Sequence, residues 1–455
     1  MNRFKRYEKY KESGIEWLGD IPEHWEIKSL RHFVDYIKNG TSSTQVTESE
    51  FMVTRIETIS DGIIDVNKIG FVEHFKGIES YRLDKGDILF SHINSLPMVG
   101  NCAIYELDIP LYHGMNLLRI KPKTIVYPKW LFYFMKSHFF REYVKSISKH
   151  AINQVSVPIN KLKSLLLPYI PYVEQKVIAN FLDQKTAEID SLINDRERLI
   201  ELLQEQRQAI ITQVVTKGLD SNVPMKDSEV EWIGEIPKHW NTKKMGWVFD
   251  LIGSGTTPDS QRTEYYDGYI PWVNSGELKD CFIDDTNNKV TERAIQDHSM
   301  LRTYPKGSLI IALYGATIGK LGILNINATV NQACCVMSYP KKDIDVKFIF
   351  YWLLANREFL ISQGYGGGQS NISQEIIKQL RIPFPSLAEQ QAIAYFLDQK
   401  TTKIDLLISD IRTQISFLKE YRQSLITAAV TGKIDVRDYI VDNDKEEGEE
   451  QEEVS

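Results

Sequence analysis

Residues 174–190 read EQKVIANFLDQKTAEID, and residues 389–405, 215 positions later, read EQQAIAYFLDQKTTKID. The same shift carries KESGIEWLGDIPEHW at 11–25 onto KDSEVEWIGEIPKHW at 226–240, and QEQRQAIITQVVTKGLD at 204–220 onto KEYRQSLITAAVTGKID at 419–435. Three matched pairs at one offset make the chain a tandem duplication. Between the matched ends, residues of about 36–150 and 251–365 share only short turns such as Lys85-Gly86-Asp87 and Lys306-Gly307-Ser308. A repeated frame around divergent fillings suits a protein that holds two variable readers in fixed relation. Duplication of an inert domain is the plainer alternative, but it would drift throughout rather than in the middle alone.

The frame reads as helix. Leu182, Lys185, Ile189, Leu192, Arg196, Leu199, Leu203, Gln206 and Ile210 step by three and four, as do Leu397, Lys400, Ile404, Leu407, Ile411, Gln414, Leu418, Tyr421 and Leu425. Both series are expected seams of a coiled coil, and two copies in one chain are expected to pair antiparallel. A helix from Val173 to Thr216 would be roughly 65 Å long at 1.5 Å per residue. Each helix follows a proline-bearing exit, Leu167-Pro168-Tyr169-Ile170-Pro171 or Ile382-Pro383-Phe384-Pro385, which suits a helix start. The repeated Ile-Pro-x-His-Trp boxes, 21–25 and 236–240, read as proline turns with Trp25 and Trp240 as buried anchors. His24 and His239 are then hydrogen-bonded turn residues rather than acid–base catalysts.

The fillings carry short β-like runs at 87–90 and 308–311, then an aromatic helix (129–133, 348–352) and a polar loop. The fold class expected is α+β, with mixed α/β domains: a first domain over 1–169, a helix over 170–220, a second domain over 221–384, a second helix over 385–434 and an acidic tail over 435–455. Base edges are read by side-chain amides, guanidinium groups and other polar groups on loops. In the first filling these are Arg55, Ser91, His92, Asn94, His113, Asn116, Asn153 and Gln154. Arg141, Lys145 and Lys149 add a possible phosphate-facing stripe on one helix face, or a plain solvated face. In the second filling they are Asn274, Tyr314, Lys320, Asn331, Gln332, Gln369 and Asn371, the last two after Gly366-Gly367-Gly368.

Two catalytic look-alikes lack the chemistry they mimic. Pro258-Asp259 with Glu277-Leu278-Lys279 imitates a metal-dependent nuclease, but both pieces sit in turn-like sequence. Gly315-Ala316-Thr317-Ile318-Gly319-Lys320-Leu321 is one residue short of a phosphate loop and has Leu where magnesium needs Ser or Thr. No methyltransferase Asn-Pro-Pro-Tyr motif and no dinucleotide-binding glycine pattern occurs. No catalytic residue and no metal site is expected, and Cys102, Cys281, Cys334 and Cys335 are expected to be buried free thiols.

The formal charge is −7, yet residues 441–455 alone hold eight acidic residues and one lysine. The rest of the chain is balanced, so nucleic-acid binding would rest on local patches rather than on bulk charge. No apolar run long enough to span a bilayer and no secretory signal at the start is seen, so a cytoplasmic protein without a membrane role is expected.

Together IEWLGDIPEHW, EQKVIANFLDQKTAEID, NSGEL, YGATIGK and RQSLITAAVTGKID resemble the specificity subunit of type I restriction–modification enzymes. The resemblance covers nearly the whole chain. It implies two target recognition domains with β-rich cores, separated by two long helices pairing as an antiparallel coiled coil, and a bipartite, asymmetric double-stranded DNA target. It also implies two modification methyltransferase subunits and a restriction/translocase subunit as partners. By the same resemblance the chain binds no cofactor itself; S-adenosylmethionine, ATP and magnesium belong to the partners. The helix starts, Glu174, Gln175, Phe181 and Leu182 with Glu389, Gln390, Phe396 and Leu397, are the candidates for the methyltransferase interface. The acidic tail departs from the family pattern and reads as solvated and disordered, with DNA mimicry or docking as alternatives. A stand-alone nuclease using Asp259, Glu277 and Lys279, and a coiled-coil scaffold with no DNA role, remain as rival readings.

Overall fold

The computed structural model describes residues 4–60, 62–152, 154–365 and 371–439. The chain folds as two compact units, one holding residues up to Glu197 together with those from Arg412 onward, the other Arg198–Ile411. The boundaries expected from the repeat keep each long helix whole, whereas these units divide both helices between them.

The first unit is built on a four-stranded antiparallel sheet. Its strands are β1 (Val34–Asn39), β2 (Ile88–Ser91), β4 (Cys102–Ile104) and β5 (Leu117–Pro122), in the order β4-β2-β5-β1. A small sheet branches from it: β3 (Ile93–Asn94), β6 (Lys149–Ala151) and β7 (Gln154–Ser156), ordered β6-β7-β3. Helices α1 (Pro128–Lys136) and α2 (His138–Ile147) lie between them in sequence. Trp130, Leu131, Phe134 and Met135 of α1 are buried. Burying such apolar side chains contributes roughly 1.5–3 kcal/mol each.

The second unit carries a five-stranded sheet: β8 (Phe249–Ser254), β9 (Cys281–Ile283), β10 (Leu309–Ala312), β11 (Leu321–Leu324) and β12 (Cys334–Pro340), in the order β8-β12-β10-β11-β9. Only β9 pairs parallel, against β11. Helices α4 (Val346–Ala355) and α5 (Arg357–Ser362) correspond to α1 and α2. Gly86 and Gly307 both turn with positive φ just before the central strand, 90° and 87°, which accounts for the shared Lys-Gly pair. Cys102, Cys334 and Cys335 are buried free thiols, while Cys281 is exposed at the start of edge strand β9, correcting the expectation for that residue.

Two helices frame these sheets, α3 (Tyr172–Lys217) and α6 (Leu387–Val430). In the first unit Asp190 pairs with Arg422 and Glu197 with Lys419, so one helix rises as the other falls. In the second unit Arg207 pairs with Asp405. The 215-residue shift maps Asp190 onto Asp405 and Arg207 onto Arg422, so these are one ion pair made twice. The antiparallel coiled coil is therefore present, but its seam differs from the expected one. The faces turned inward are Leu182, Thr186, Ile189, Ile193, Arg196, Ile200, Leu203, Arg207 and Ile210, and Leu397, Thr401, Ile404, Ile408, Ile411, Ile415, Leu418, Arg422 and Leu425. Alternate members have moved by one residue, leaving Leu192, Leu199, Leu407 and Tyr421 exposed. Because both copies moved alike, the heptad runs four-then-three in each.

The sheet cores are fastened to the helices by interactions that also recur. Tyr133 OH donates to Asp183 Oδ1 at 2.6 Å and Lys129 Nζ to Oδ2 at 2.8 Å; Tyr351 and Lys347 do the same to Asp398 at 2.7 and 2.6 Å. Trp25 and Trp240 are fully buried, as expected of anchors.

Candidate nucleic-acid interface

In the first unit the loop leaving β2, the hairpin β6–β7 and the turn before β5 converge. Val155 registers against Asn94 and Ser156 against Ile93, and the Val157 N–H donates to the His92 carbonyl at 2.8 Å. Asn116 sits in the left-handed region at φ 68°, with its backbone hydrogen-bonded to the His92 ring. Ser91, His92, Asn94, Asn116, Lys149 and Gln154 are thus drawn to one place. Lys149 and Gln154 are exposed, Asn94 and Asn116 half-exposed, and Asn94 Nδ2 donates to Ser91 Oγ at 3.1 Å.

The remaining expected readers of this unit have other duties. His113 is buried and donates through Nε2 to the Leu117 carbonyl at 3.0 Å; desolvation pushes its pKa down to about 4, so it holds the turn as a neutral ring. Burial likewise lowers the pKa of His92, whose Nδ1 has no partner. Arg55 is exposed and pairs with Glu57. The stripe expected on one helix face does not form. Helix α2 ends at Ile147, because Ser148 turns extended and its hydroxyl caps the Val144 carbonyl at 2.7 Å. Lys149 therefore lies on a strand, Lys145 pairs with Glu142 at 2.7 Å, and Arg141 turns toward Asn101 Oδ1 at 2.9 Å. Asn153 lies outside the described residues.

The second unit repeats the convergence with different side chains. The Ile372 N–H donates to the Leu313 carbonyl at 2.8 Å, as Val157 does to His92, and the Leu313 N–H donates to Ala333. The Asn331 N–H donates to Val273 at 3.0 Å, beside Asn274, and the Gln332 side chain accepts from the Thr257 hydroxyl. Asn274, Tyr314, Asn331, Gln332 and Asn371 are gathered by this chain of bonds. Lys320 is not; its ammonium donates to Asp280 at 2.9 Å. Gln369 and Gly366-Gly367-Gly368 lie outside the described residues.

Glycine holds each turn in place. A Cβ on Gly40 would lie 1.9 Å from the Gly114 carbonyl oxygen, and one on Gly255 1.7 Å from that of Val330. The two positions are 215 residues apart, so a close approach beneath each loop cluster is part of the frame. His150, Ile152 and Tyr365 were missed by the reading of the sequence. Ile152 is 92% exposed and Tyr365 74%. An isoleucine next to an asparagine, Ile152-Asn153, at the turn after Ala151 is the signal the sequence offered.

The helix-start residues face inward. Glu174 accepts from Tyr7 OH at 2.7 Å, His24 at 2.8 Å and Trp25 Nε1 at 3.1 Å, in the first turn of α3 where the helix dipole favours a carboxylate. Gln175 donates to Ile170 and accepts from the Tyr127 N–H, as Gln390 does with Pro385 and Asp345. Phe181, Leu182 and Leu397 are buried, Phe396 partly so, and Glu389 meets His239 at 3.1 Å. Glu277, of the nuclease look-alike, spends both carboxylate oxygens on the Asn274 and Asn287 N–H groups, and Asp259 accepts from the Gln261 N–H. Both carboxylates thus shape their own loops. Among the described residues no three His, Cys, Asp or Glu gather as a metal site, and no helix is long and apolar enough to cross a membrane.

A duplicated frame presenting two unlike clusters of donors and acceptors on one backbone arrangement is the build of a recognition subunit. The chain belongs to the family defined by the type I restriction–modification DNA specificity domain, whose model matches residues 22–202 and again 237–416. It is 31% identical over 442 residues to a Methanocaldococcus jannaschii chain assigned as the MjaX type I restriction enzyme specificity subunit, covering 96% of this chain and 99% of that one. To the EcoKI specificity subunit of Escherichia coli it is 22% identical, covering 91% and 90%. Its fold matches a solved chain described under complex assembly and conformational transition of the type I R-M system, with a TM-score of 0.71 at 17% identity, over 90% of this chain and 98% of that one. The HsdS subunit of Thermoanaerobacter tengcongensis matches at 0.52 and 16% identity, over 91% and 98%.

Proposed function

We propose that the two loop clusters each read one half of a split, asymmetric double-stranded DNA target. The observation that carries this is the pairing of one backbone scaffold with unlike side chains: His92 stands where Leu313 does, and hairpin 149–156 where Tyr365 and Asn371 do. Asn94, Asn116, Lys149 and Gln154 would face bases or phosphates in one half-site; Asn274, Tyr314, Asn331, Gln332 and Asn371 would do so in the other. Arg55 and Lys145 would contact phosphates from the margin. Amides and ammonium groups suit the donor and acceptor pattern of the major groove.

The same reading makes the chain a scaffold in the cytoplasm for two methyltransferase subunits and a restriction/translocase subunit. S-adenosylmethionine, ATP and magnesium would be held by those partners. The helix starts would dock the methyltransferases, with exposed Tyr172, Val173 and Tyr395 forming the contact surface over the inward-facing Glu174, Gln175, Phe181, Leu182, Glu389, Gln390, Phe396 and Leu397.

Mapping methylated bases genome-wide, with and without the chain, tests this directly. Replacing residues 36–150 by those of a relative should change one half-site and leave the other; a change in both would sink the modular reading. Cleavage of plasmid by the purified chain with magnesium alone would revive the nuclease. Failure to bind DNA even with the modification subunits supplied would favour a plain scaffold.

A further inference from the structure

In the first unit a cavity of about 660 Å³ opens between α2, the loop leaving β2 and the helix pair. Lys136, Arg141, Lys419 and Arg422 line it, with Asp190 the one carboxylate among the lining residues. Asp190 is committed to Arg422 and Lys419 is near Glu197. Lys136 and Arg141 have no carboxylate partner among the described residues. Arg141 donates to the neutral Asn101 and Pro97 oxygens, and Lys136 Nζ rests 4.9 Å from the Phe132 ring centroid. Burial lowers the pKa of Lys136, as it does for an ammonium without a counter-charge.

The duplication shows what such a place accommodates. The Ser91 N–H donates to Asn101 and the Ala312 N–H to Lys320, while Gly100 and Gly319 return the bond, so Asn101 and Lys320 hold one position. In the second unit the Asp280 carboxylate fills the space beside it, accepting from Lys320, Arg357 and the Leu321 N–H. Asp280 has φ 60° and its N–H donates to the Leu321 carbonyl. In the first unit Gly62, with φ +75°, comes nearest to that place: its Cβ direction is 3.8 Å from the Cys102 carbonyl and 3.5 Å from Lys136 Nζ, while its own N–H donates to the Ile59 carbonyl. The cations are there, and among the described residues no carboxylate accepts from Lys136 or Arg141. On the helix, the residue matching Lys136 is Leu354, by the register that matches Tyr133 to Tyr351. The inherited frame therefore does not require a lysine here.

We propose that this cavity binds a phosphate group, held by Lys136 and Arg141 where the second unit supplies its own carboxylate. A free phosphate or nucleotide and a DNA backbone phosphate share that chemistry. Calorimetric titration of the full chain with inorganic phosphate, without DNA, should show saturable binding with a dissociation constant of about 1 mM or tighter. Lys136→Leu and Arg141→Gln should each weaken it at least tenfold. Gly62→Asp, which brings the carboxylate in, should do the same while the melting temperature holds. No saturable uptake by the unaltered chain, or uptake undiminished in the variants, overturns the proposal, and the first readout stands even if a variant fails to fold. Displacement of phosphate by a duplex of unrelated sequence assigns the site to the DNA backbone; persistence of phosphate binding assigns it to a free ligand. The measurement involves no target sequence, so its failure leaves half-site recognition untouched.

Discussion

The frame and the loop clusters of this chain were duplicated together and have fared differently. Much of the frame repeats: Tyr133, Lys129 and Asp183 against Tyr351, Lys347 and Asp398, and Asp190–Arg422 against Asp405–Arg207. The loops keep only their backbone meeting points, where a histidine in one unit becomes a leucine in the other. The two units share the interactions that position the loops and differ in the side chains those loops present.

The comparison breaks hardest at the glycines. Gly40→Ala and Gly255→Ala each drive a Cβ into a carbonyl oxygen at under 2 Å, and each should cost about 3 kcal/mol or more. Methylation mapping should show loss of one half-site per substitution; equal loss of both would mean that the loops are not held independently. Asp183→Ala and Asp398→Ala remove a carboxylate that takes both a lysine and a tyrosine, and each should cost on the order of 2 kcal/mol. Denaturant melts of the two should agree closely, and a large difference would show that the frame has diverged energetically.

Acid should separate the units. Burial holds His113 neutral with its pKa pushed down to about 4, so as pH falls below about 6.5 the unfolded chain takes up the proton first. Stability of the first unit is full above that pH and drains by on the order of 1 kcal/mol per pH unit toward 4. His113→Gln should flatten this slope in circular-dichroism melts, whatever it does to stability at neutral pH. The smallest expected effect concerns the reciprocal ion pairs. Arg207→Met and Arg422→Met should each change stability by only about 0.5–1 kcal/mol, since Asp405 and Asp190 are half-exposed. A loss several times larger in one variant alone would show that the two pairs no longer do the same job.

Much of this frame was legible because the repeat supplied two readings of every element. The antiparallel helix pair, the tryptophan anchors and the Lys-Gly turns follow from it. The seam register was not legible, since Leu192 and Leu407 satisfy one spacing as well as Ile193 and Ile408 satisfy the other, and only burial decides between them. The loop clusters were legible as residue types but not as assemblies. Asn94 meets Val155 across 61 residues of sequence, and nothing local to either announces the pairing. The Arg141–Lys149 stripe went astray because a helix pattern gives no warning of the serine that caps it at 148.

The division of both long helices bears on the order in which the chain can be made. The second unit is contiguous, Arg198–Ile411, and all its parts have left the ribosome once the first half of α6 has. The first unit needs residues from 412 onward, and its Asp190 waits for an arginine 232 positions later. Synthesis from the N-terminus would normally favour the earlier domain. Here the domain begun first is closed last: its four- and three-stranded sheets are complete by residue 156, but the face of α3 that takes Arg422 stands open through the making of the whole second unit.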